Sequence, residues 1–219
     1  MDGPAASGKS TVARLVAKDL GFDLVDTGAM YRSVTLLAVE SGVPLDDEGL
    51  LGALAAEVRD QFHAEAGDGP TRFFLGDREV TDDIRSAEVG DSVSPVSKAV
   101  PVRRQMVALQ RSFSSGRGVV VEGRDIGTVV FPDAALKVFL DADSEERKRR
   151  RLLELEGKGR SASALEVSNE IDKRDRIDSS RENSPLRRPE DALYIDTTGL
   201  AAEQVAEMIV RRWQIRGQT

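Results

Sequence analysis

The chain has 219 residues, 40% apolar and 32% charged, which suits one α/β core with inserts and argues against wholesale disorder. It contains no cysteine and a single histidine, His63, which excludes disulfides, thiolate metal sites, cysteine nucleophiles and multi-histidine metal centres. A net charge of −7 argues against general nucleic-acid binding, no stretch approaches the roughly 20 apolar residues that span a bilayer, and the start lacks the pattern of a signal peptide.

The chain opens in a glycine-rich loop, and Ser7 to Leu20 then reads as a helix ended by Gly21. Phe22 to Val25 is a short apolar strand closed by Asp26-Thr27-Gly28, and Met30 to Glu40 has helical periodicity up to Ser41-Gly42. Val58 to Phe62 and Thr71 to Thr81 look β-like, with a turn at Leu75-Gly76-Asp77. Residues 83 to 89 and 101 to 114 read as helices, the second with Pro101 in its first turn. Val119 to Val121 and Leu136 to Leu140 are short β-branched runs of the kind found in a buried parallel sheet. Ser144 is placed to cap a long arginine-rich helix ending near Gly157-Lys158-Gly159, and another helix covers Ala164 to Ile177. Leu193 to Ile195 is a last strand, followed by the loop Asp196 to Gly199 and an amphipathic helix from Leu200 to Trp213. Strands alternating with helices imply a doubly wound α/β domain.

The strongest motif is Gly3-Pro4-Ala5-Ala6-Ser7-Gly8-Lys9-Ser10, which satisfies G-x-x-x-x-G-K-[ST] at every fixed position and opens a helix. Gly3 and Gly8 permit bends that turn successive N–H groups inward, and the helix N-terminus aims its positive end at the same point. Lys9 is expected to reach the β- and γ-phosphates of a nucleotide and Ser10 to ligate Mg²⁺. P-loop folds place a buried strand before the first glycine, whereas only Met1-Asp2 precedes Gly3. The expectation is a core short of its first strand, or a start that has been trimmed or mis-set.

A P-loop serves many chemistries. The arginines narrow the choice: they crowd at Arg147, Arg149, Arg150 and Arg151, then at Arg174, Arg176, Arg181, Arg187 and Arg188. Clustered guanidinium groups in an acidic protein suit small polyanions, and transfer between two phosphate-bearing nucleotides needs such neutralising charge. An acceptor that is itself a phosphate is mostly ionised near neutral pH, its second pKa being about 6, and needs no general base. No carboxylate in the sequence has to be one.

These segments resemble the bacterial cytidylate kinase family. Gly3 to Thr11 resembles its phosphate loop, and Asp26-Thr27-Gly28-Ala29-Met30-Tyr31-Arg32 its D-[ST]-G-x-x-Y-R segment. Glu122-Gly123-Arg124-Asp125-Ile126-Gly127-Thr128-Val129-Val130-Phe131-Pro132 is similar to its G-R-D-x-G-T-V-V-F-P segment. Ser144 to Arg151 resembles the family's E-x-R-x-x-R-R helix, and Arg174-Asp175-Arg176-Ile177-Asp178-Ser179-Ser180-Arg181 has the R-D-x-x-D-x-x-R spacing. The likeness covers nearly the whole chain.

It implies a P-loop nucleoside monophosphate kinase fold: a core over 1–57 and 90–219, a β-rich CMP-binding insert at about 58–89 and a short lid at about 147–165. It also implies transfer of the γ-phosphate of ATP to CMP or dCMP with Mg²⁺, in a cytoplasmic monomer. Asp125 is then expected to read the base, since a carboxylate accepts from the cytosine amine and is repelled by the uracil carbonyl. Ser94 and Arg103 are carried onto the pyrimidine by resemblance, and Arg32 and Arg124 onto the acceptor phosphate, which guanidinium forks match bidentately. Thr27 and Tyr31 belong with them, as does Gly123. Arg174, Asp178 and Arg181 are assigned to the sugar and phosphates, with Arg174 also a catalytic candidate. Arg147, Arg150 and Arg151 stand where the family's lid points arginines at ATP. Glu122 occupies the place of a carboxylate that holds Mg²⁺ through water, and Asp196 to Gly199 border the adenine by analogy. His63 is read as ordinary surface. Two other readings stay open: a P-loop kinase for a small hydroxyl acceptor, in which Asp125 would be a general base, and a non-catalytic nucleotide- or RNA-binding module carried by the basic helix.

Overall fold

The computed structural model describes residues 1–65, 71–113, 118–157, 159 and 161–216. Its elements in chain order begin with α1 (Lys9–Leu20), β1 (Asp23–Asp26), α2 (Thr27–Glu40), α3 (Glu48–Gln61), β2 (Phe62–Glu65), β3 (Arg72–Leu75) and β4 (Arg78–Glu79). They continue through α4 (Ala87–Val96), α5 (Val100–Ser112), β5 (Val119–Glu122), β6 (Val138–Asp141), α6 (Ser144–Gly157), α7 (Ala164–Ser180), β7 (Leu193–Asp196) and α8 (Ala202–Arg216). These divide into two compact units, one of Met1–Val25 with Ser114–Thr219 and one of Asp26–Phe113.

The first unit is a layered α/β body. β6 and β7 pair in parallel from Val138↔Leu193 to Asp141↔Asp196, and β1 pairs with β5. The expected gap between these pairs is bridged by the two residues that precede Gly3. The Asp2 N–H donates to Val138 O and the Leu140 N–H to Asp2 O, both at 2.8 Å, while the Gly123 N–H donates to Met1 O at 3.0 Å and the Met1 nitrogen to Val121 O at 2.8 Å. This is the alternating pattern of a parallel ladder on both sides. Two residues therefore fill the central position between β5 and β6. The core below comprises Val12 and Val16 of α1, Val138 and Leu140 of β6, Ile195 of β7, and Val205, Ala206 and Ile209 of α8. Phe22 and Trp213 meet edge to face with centroids 5.5 Å apart, closing that layer at α8. Leu155, Val167 and Ile171 pack α6 against α7.

The second unit is mostly helical, and two readings need correction. Val58 to Phe62 is not a strand: the Asp47 carboxylate accepts from the Leu50 N–H at 2.9 Å and starts α3, whose Leu51, Ala55 and Val58 are buried at helical spacing. The strand begins only at Phe62, where β2 pairs with β3 and β3 with β4, all antiparallel. Residues 83 to 89 are not one helix either; a short 3₁₀ turn at Asp83–Arg85 precedes α4, which Ser86 caps and which carries Pro95 in its last turn. His63 is exposed and stacked on Phe74 at 4.9 Å. In the first unit the cap of α6 is Asp143 rather than Ser144, its carboxylate accepting from the Glu146 N–H at 2.7 Å. Lys158 and Ser114, the one in the expected α6 tip and the other at the expected end of α5, lie outside the described residues.

Candidate nucleotide site

The phosphate loop lies between the Met1-Asp2 segment and α1. Gly3 has φ +151°, and a Cβ there would stand 2.0 Å from Leu140 O, so only glycine allows the loop to leave the sheet beside β6. Ala6 also adopts a positive φ of 57°. Pro4, Ala5 and Ser7 are buried, Ala6 and Gly8 half-buried, and Ser10 and Thr11 exposed in the first turn of α1. The Lys9 ammonium is folded over this loop, donating to Pro4 O at 2.5 Å and lying 3.2 Å from Ser7 Oγ. Burial, helped by the positive charge of Arg124, pushes Lys9 down to about 7 from an ordinary 10.5. The Thr197 hydroxyl lies 3.2 Å from Ser7 O and 2.9 Å from Asp141 O, tying the loop to the ends of β6 and β7.

β5 ends in Glu122, which is buried, and hands over to the Gly123-Arg124-Asp125 turn. Arg124 Nε donates to Asp178 Oδ2 at 2.8 Å, and Arg181 Nη2 donates to Asp178 Oδ1 at 2.5 Å. Burial opposes ionisation of Asp178, but Arg124 and Arg181 outweigh it and hold the carboxyl below its ordinary range. Arg181 stands three residues after Asp178, at the C-cap of the same helix. α7 stops at Ser180, and Arg181 turns extended (φ −57°, ψ 132°) and brings its guanidinium back onto Asp178. Arg124, Asp178 and Arg181 are thus one cluster. After Asp125 the chain makes a single π-helical turn over Ile126–Val130 that no residue pattern announced.

The arginines of α6 are held by acids. Arg147 is buried and donates to Ala5 O of the phosphate loop at 3.3 Å, to Ala142 O at 3.2 Å and to Asp175 Oδ2 of α7 at 2.5 Å. Arg150 donates to Glu146 at 2.8 Å and to the hydroxyl and carbonyl of Thr197 at 2.9 and 2.6 Å. Arg151 and Arg174 both reach Glu170 Oε1, at 2.8 and 2.9 Å. Arg147 and Arg150 thus reach the phosphate loop and Thr197, while Arg151 and Arg174 are held by Glu170. Among the described residues no three acidic or histidine side chains gather as a metal cluster.

In the second unit Asp26 caps α2, accepting from the Ala29 N–H at 3.0 Å, and Thr27 and Tyr31 are buried on that helix with Arg32 half-buried. Arg103 of α5 is buried with its guanidinium 5.8 Å above the Tyr31 ring, a cation–π contact. Ser94 is a buried residue of α4, and its carbonyl accepts from Ser97 Oγ at 3.0 Å.

The residues missed by sequence reasoning are the partners. Glu146, Glu170 and Asp175 carry no signal beyond acids near arginines, and Thr197 lies in a loop noted only for its border with a base. Asp2 was read only as a stub of strand.

A family model described as cytidylate kinase matches residues 1–215. The chain belongs to the cytidylate kinase family. A cytidylate kinase of Pelotomaculum thermopropionicum is 50% identical over 212 residues, covering 97% of this chain and 93% of the relative. Those of Carboxydothermus hydrogenoformans and Exiguobacterium sibiricum are 46% and 45% identical, covering 96% and 94% of this chain and 94% and 91% of the relatives. As a cytidylate kinase family member the chain is an α/β P-loop protein, and the five segments singled out from its sequence all lie within the matched range. Among the described residues no helix is long and apolar enough to cross a membrane.

Proposed function

We propose that this protein transfers the γ-phosphoryl group of ATP to CMP or dCMP, giving ADP and CDP or dCDP. The observation that carries the reading is the phosphate loop with Lys9 folded onto Pro4 O, in the same unit as the Arg124–Asp178–Arg181 cluster. Lys9 lies over the loop whose amides, with the α1 N-terminus, suit an anion. Triphosphate oxygens are better partners for an ammonium than one carbonyl, so Lys9 would exchange Pro4 O for the β- and γ-phosphates and take up a proton where it had lost one.

An oxygen of the acceptor phosphate attacks the γ-phosphorus, and the bond from that phosphorus to the β–γ bridging oxygen breaks. No proton has to leave the nucleophile, because the acceptor phosphate is already largely dianionic above a second pKa of about 6. Catalysis then rests on placement and on charge along the transferring group, which Lys9, Arg124, Arg150, Arg151 and Arg174 would supply. Ser10 at the head of α1 and Glu122 at the end of β5 would hold Mg²⁺. Magnesium keeps waters and phosphate oxygens and asks for only one or two protein oxygens, so this sparse donor set fits it. When bound, the ion neutralises phosphate charge.

Asp125 is assigned to the cytosine amine, and Gly123, Arg124, Arg174, Asp178 and Arg181 to the acceptor's sugar and phosphate. Thr27, Tyr31, Arg32, Ser94 and Arg103 are assigned to CMP binding by family resemblance. Gly3 to Thr11 and Arg147 are assigned to the donor side. The protein is taken as a cytoplasmic monomer that does not act on nucleic acid.

The test is coupled ADP production with CMP, dCMP, UMP and AMP offered separately. Turnover with CMP and dCMP well above UMP is expected; phosphorylation of shikimate or gluconate but not CMP would reject the reading. Asp125→Ala should narrow the CMP-over-UMP ratio by about tenfold or more, one lost polar contact to a base being worth roughly 1–3 kcal/mol. Equal losses on the two pyrimidines would contradict its role.

A further inference from the structure

We infer that Asp2 is a positioning residue for the acceptor, acting through the turn that carries Arg124 and Asp125. Its side chain is 1% exposed, and its two carboxylate oxygens accept from consecutive main-chain amides, Ile126 N–H at 2.7 Å and Gly127 N–H at 2.8 Å. These are the first two N–H groups after Asp125. The Asp125 carbonyl, on the other side, accepts from the Val129 and Val130 N–H groups at 2.9 and 3.2 Å. Both contacts fix the π turn that follows Asp125: the Asp2 carboxylate holds its first two amides and the Asp125 carbonyl accepts from its last two.

A buried pair of N–H groups must find acceptors, and a carboxylate meets two adjacent donors with both oxygens in charge-assisted bonds. Asparagine of the same size offers one oxygen and turns an NH₂ toward the other donor. The geometry also leaves the turn little room to move. A Cβ on Gly127 would lie 3.0 Å from Pro189 Cγ, 3.2 Å from Lys137 Cδ and 3.3 Å from Asp2 Oδ2. Asp2 itself cannot drift, because its main chain is laddered to Val138 and Leu140 of β6. One residue thus joins three parts: β6 through its backbone, the phosphate loop through the next peptide bond, and the G-R-D turn through its side chain.

This inference rests on the reading of Asp125 and Arg124 as acceptor contacts. If it holds, removing the Asp2 carboxylate loosens the acceptor side selectively. The experiment uses the full chain with Asp2→Asn and Asp2→Ala, measuring steady-state rates with CMP and UMP varied at saturating ATP, and with ATP varied at saturating CMP. Hydrogen–deuterium exchange over residues 124–130 is followed in parallel. kcat/KM for CMP should fall on the order of ten- to a hundredfold, as expected when a reacting group is displaced by about an ångström. The CMP-over-UMP ratio should shrink, KM for ATP should change much less, and exchange should speed up at Ile126 and Gly127. A folded Asp2→Asn that keeps the CMP constants and the ratio overturns the inference, as does an equal loss for both nucleotides, which marks a purely structural role. Where a variant fails to fold, the wild-type amides decide: fast exchange at Ile126 and Gly127 overturns the anchor, and strong protection supports it. A wild type that turns over no CMP rejects the functional reading instead, and the exchange comparison still judges the anchor.

Discussion

The phosphate loop and the α6–α7 pair meet the same nucleotide chemistry in opposite ways. The loop is built from main chain: Gly3 lets it pass Leu140 O, and on the proposed reading its amides (Pro4 has none) and the α1 N-terminus would do the binding. The α6–α7 pair is built from side chains, and four of its arginines have an acid of this protein already beside them: Asp175 for Arg147, Glu146 for Arg150, Glu170 for Arg151 and Arg174. A backbone site is ready before the ligand arrives. An ion-paired layer is held in order by its acids and has to exchange partners. Lys9 stands between the two designs, a side chain parked on a backbone carbonyl of its own loop.

The sharpest way to break this comparison is to remove Lys9. If the loop's amides suffice to bind phosphate and Lys9 acts on the transferring group, Lys9→Met should lower kcat by about a hundred- to a thousandfold, the range for losing one charged donor in a preorganised site. ATP binding should weaken far less. A variant with wild-type kcat, measured by ADP production with CMP, would remove Lys9 from the chemistry and leave the loop a mere binding device.

This contrast also explains what was legible in the sequence. The loop is encoded within eight consecutive residues, so Gly3 to Ser10 could be read directly, and so could the G-R-D segment that follows a β-branched run. The short strand at Met1-Asp2 was discounted because its ladder partners are Val121, Gly123, Val138 and Leu140, more than a hundred positions away. Asp2 carries the same lesson, since its carboxylate acts on amides at 126 and 127. α3 was readable and was misread: Val58 to Phe62 looks β-like in isolation, but Leu51, Ala55 and Val58 share a helical face and Asp47 caps it. The meeting of Arg181 with Asp178 was legible, since the two are an i,i+3 pair at the end of α7.

Proton linkage gives a finer test of Lys9's intermediate position. Its folded-state pKa is about 7 against an ordinary 10.5, so between those values the unfolded chain keeps a proton that the folded chain has shed. Unfolding then takes up a proton, and stability rises with pH across that window. Below about pH 7 the folded protein carries the charged ammonium in a buried place and gains nothing from the shift. Nucleotide-free Lys9→Met should therefore melt above wild type near pH 6, with the gap closing toward pH 10. Saturating ATP should raise the wild-type melting temperature most at low pH, where Lys9 is already charged. A gap between the two proteins that does not change with pH would show that Lys9 titrates normally over the loop.

The smallest effects expected lie within α6 itself, and they separate a structural arginine from a solvated one. Arg147 and Arg149 are two residues apart and both are ion-paired, but their surroundings differ. Arg147 joins Ala5 O, Ala142 O and Asp175 from a buried position, whereas Arg149 pairs with Glu146 from a side chain 60% exposed. Arg147→Met keeps the stem's bulk and leaves Asp175 and two carbonyls short of a donor, which should cost roughly 1–3 kcal/mol. In a chain of this size each kcal/mol lowers the melting temperature by about 2–4 °C. Arg149→Ala should leave the melting temperature where it is, because water and salt replace an exposed ion pair. Differential scanning calorimetry on the two variants in low salt and in high salt decides the matter. If both melt like wild type, the Arg147 contacts to the phosphate loop hold nothing in place, and its guanidinium is as free to meet ATP as those of Arg150 and Arg151.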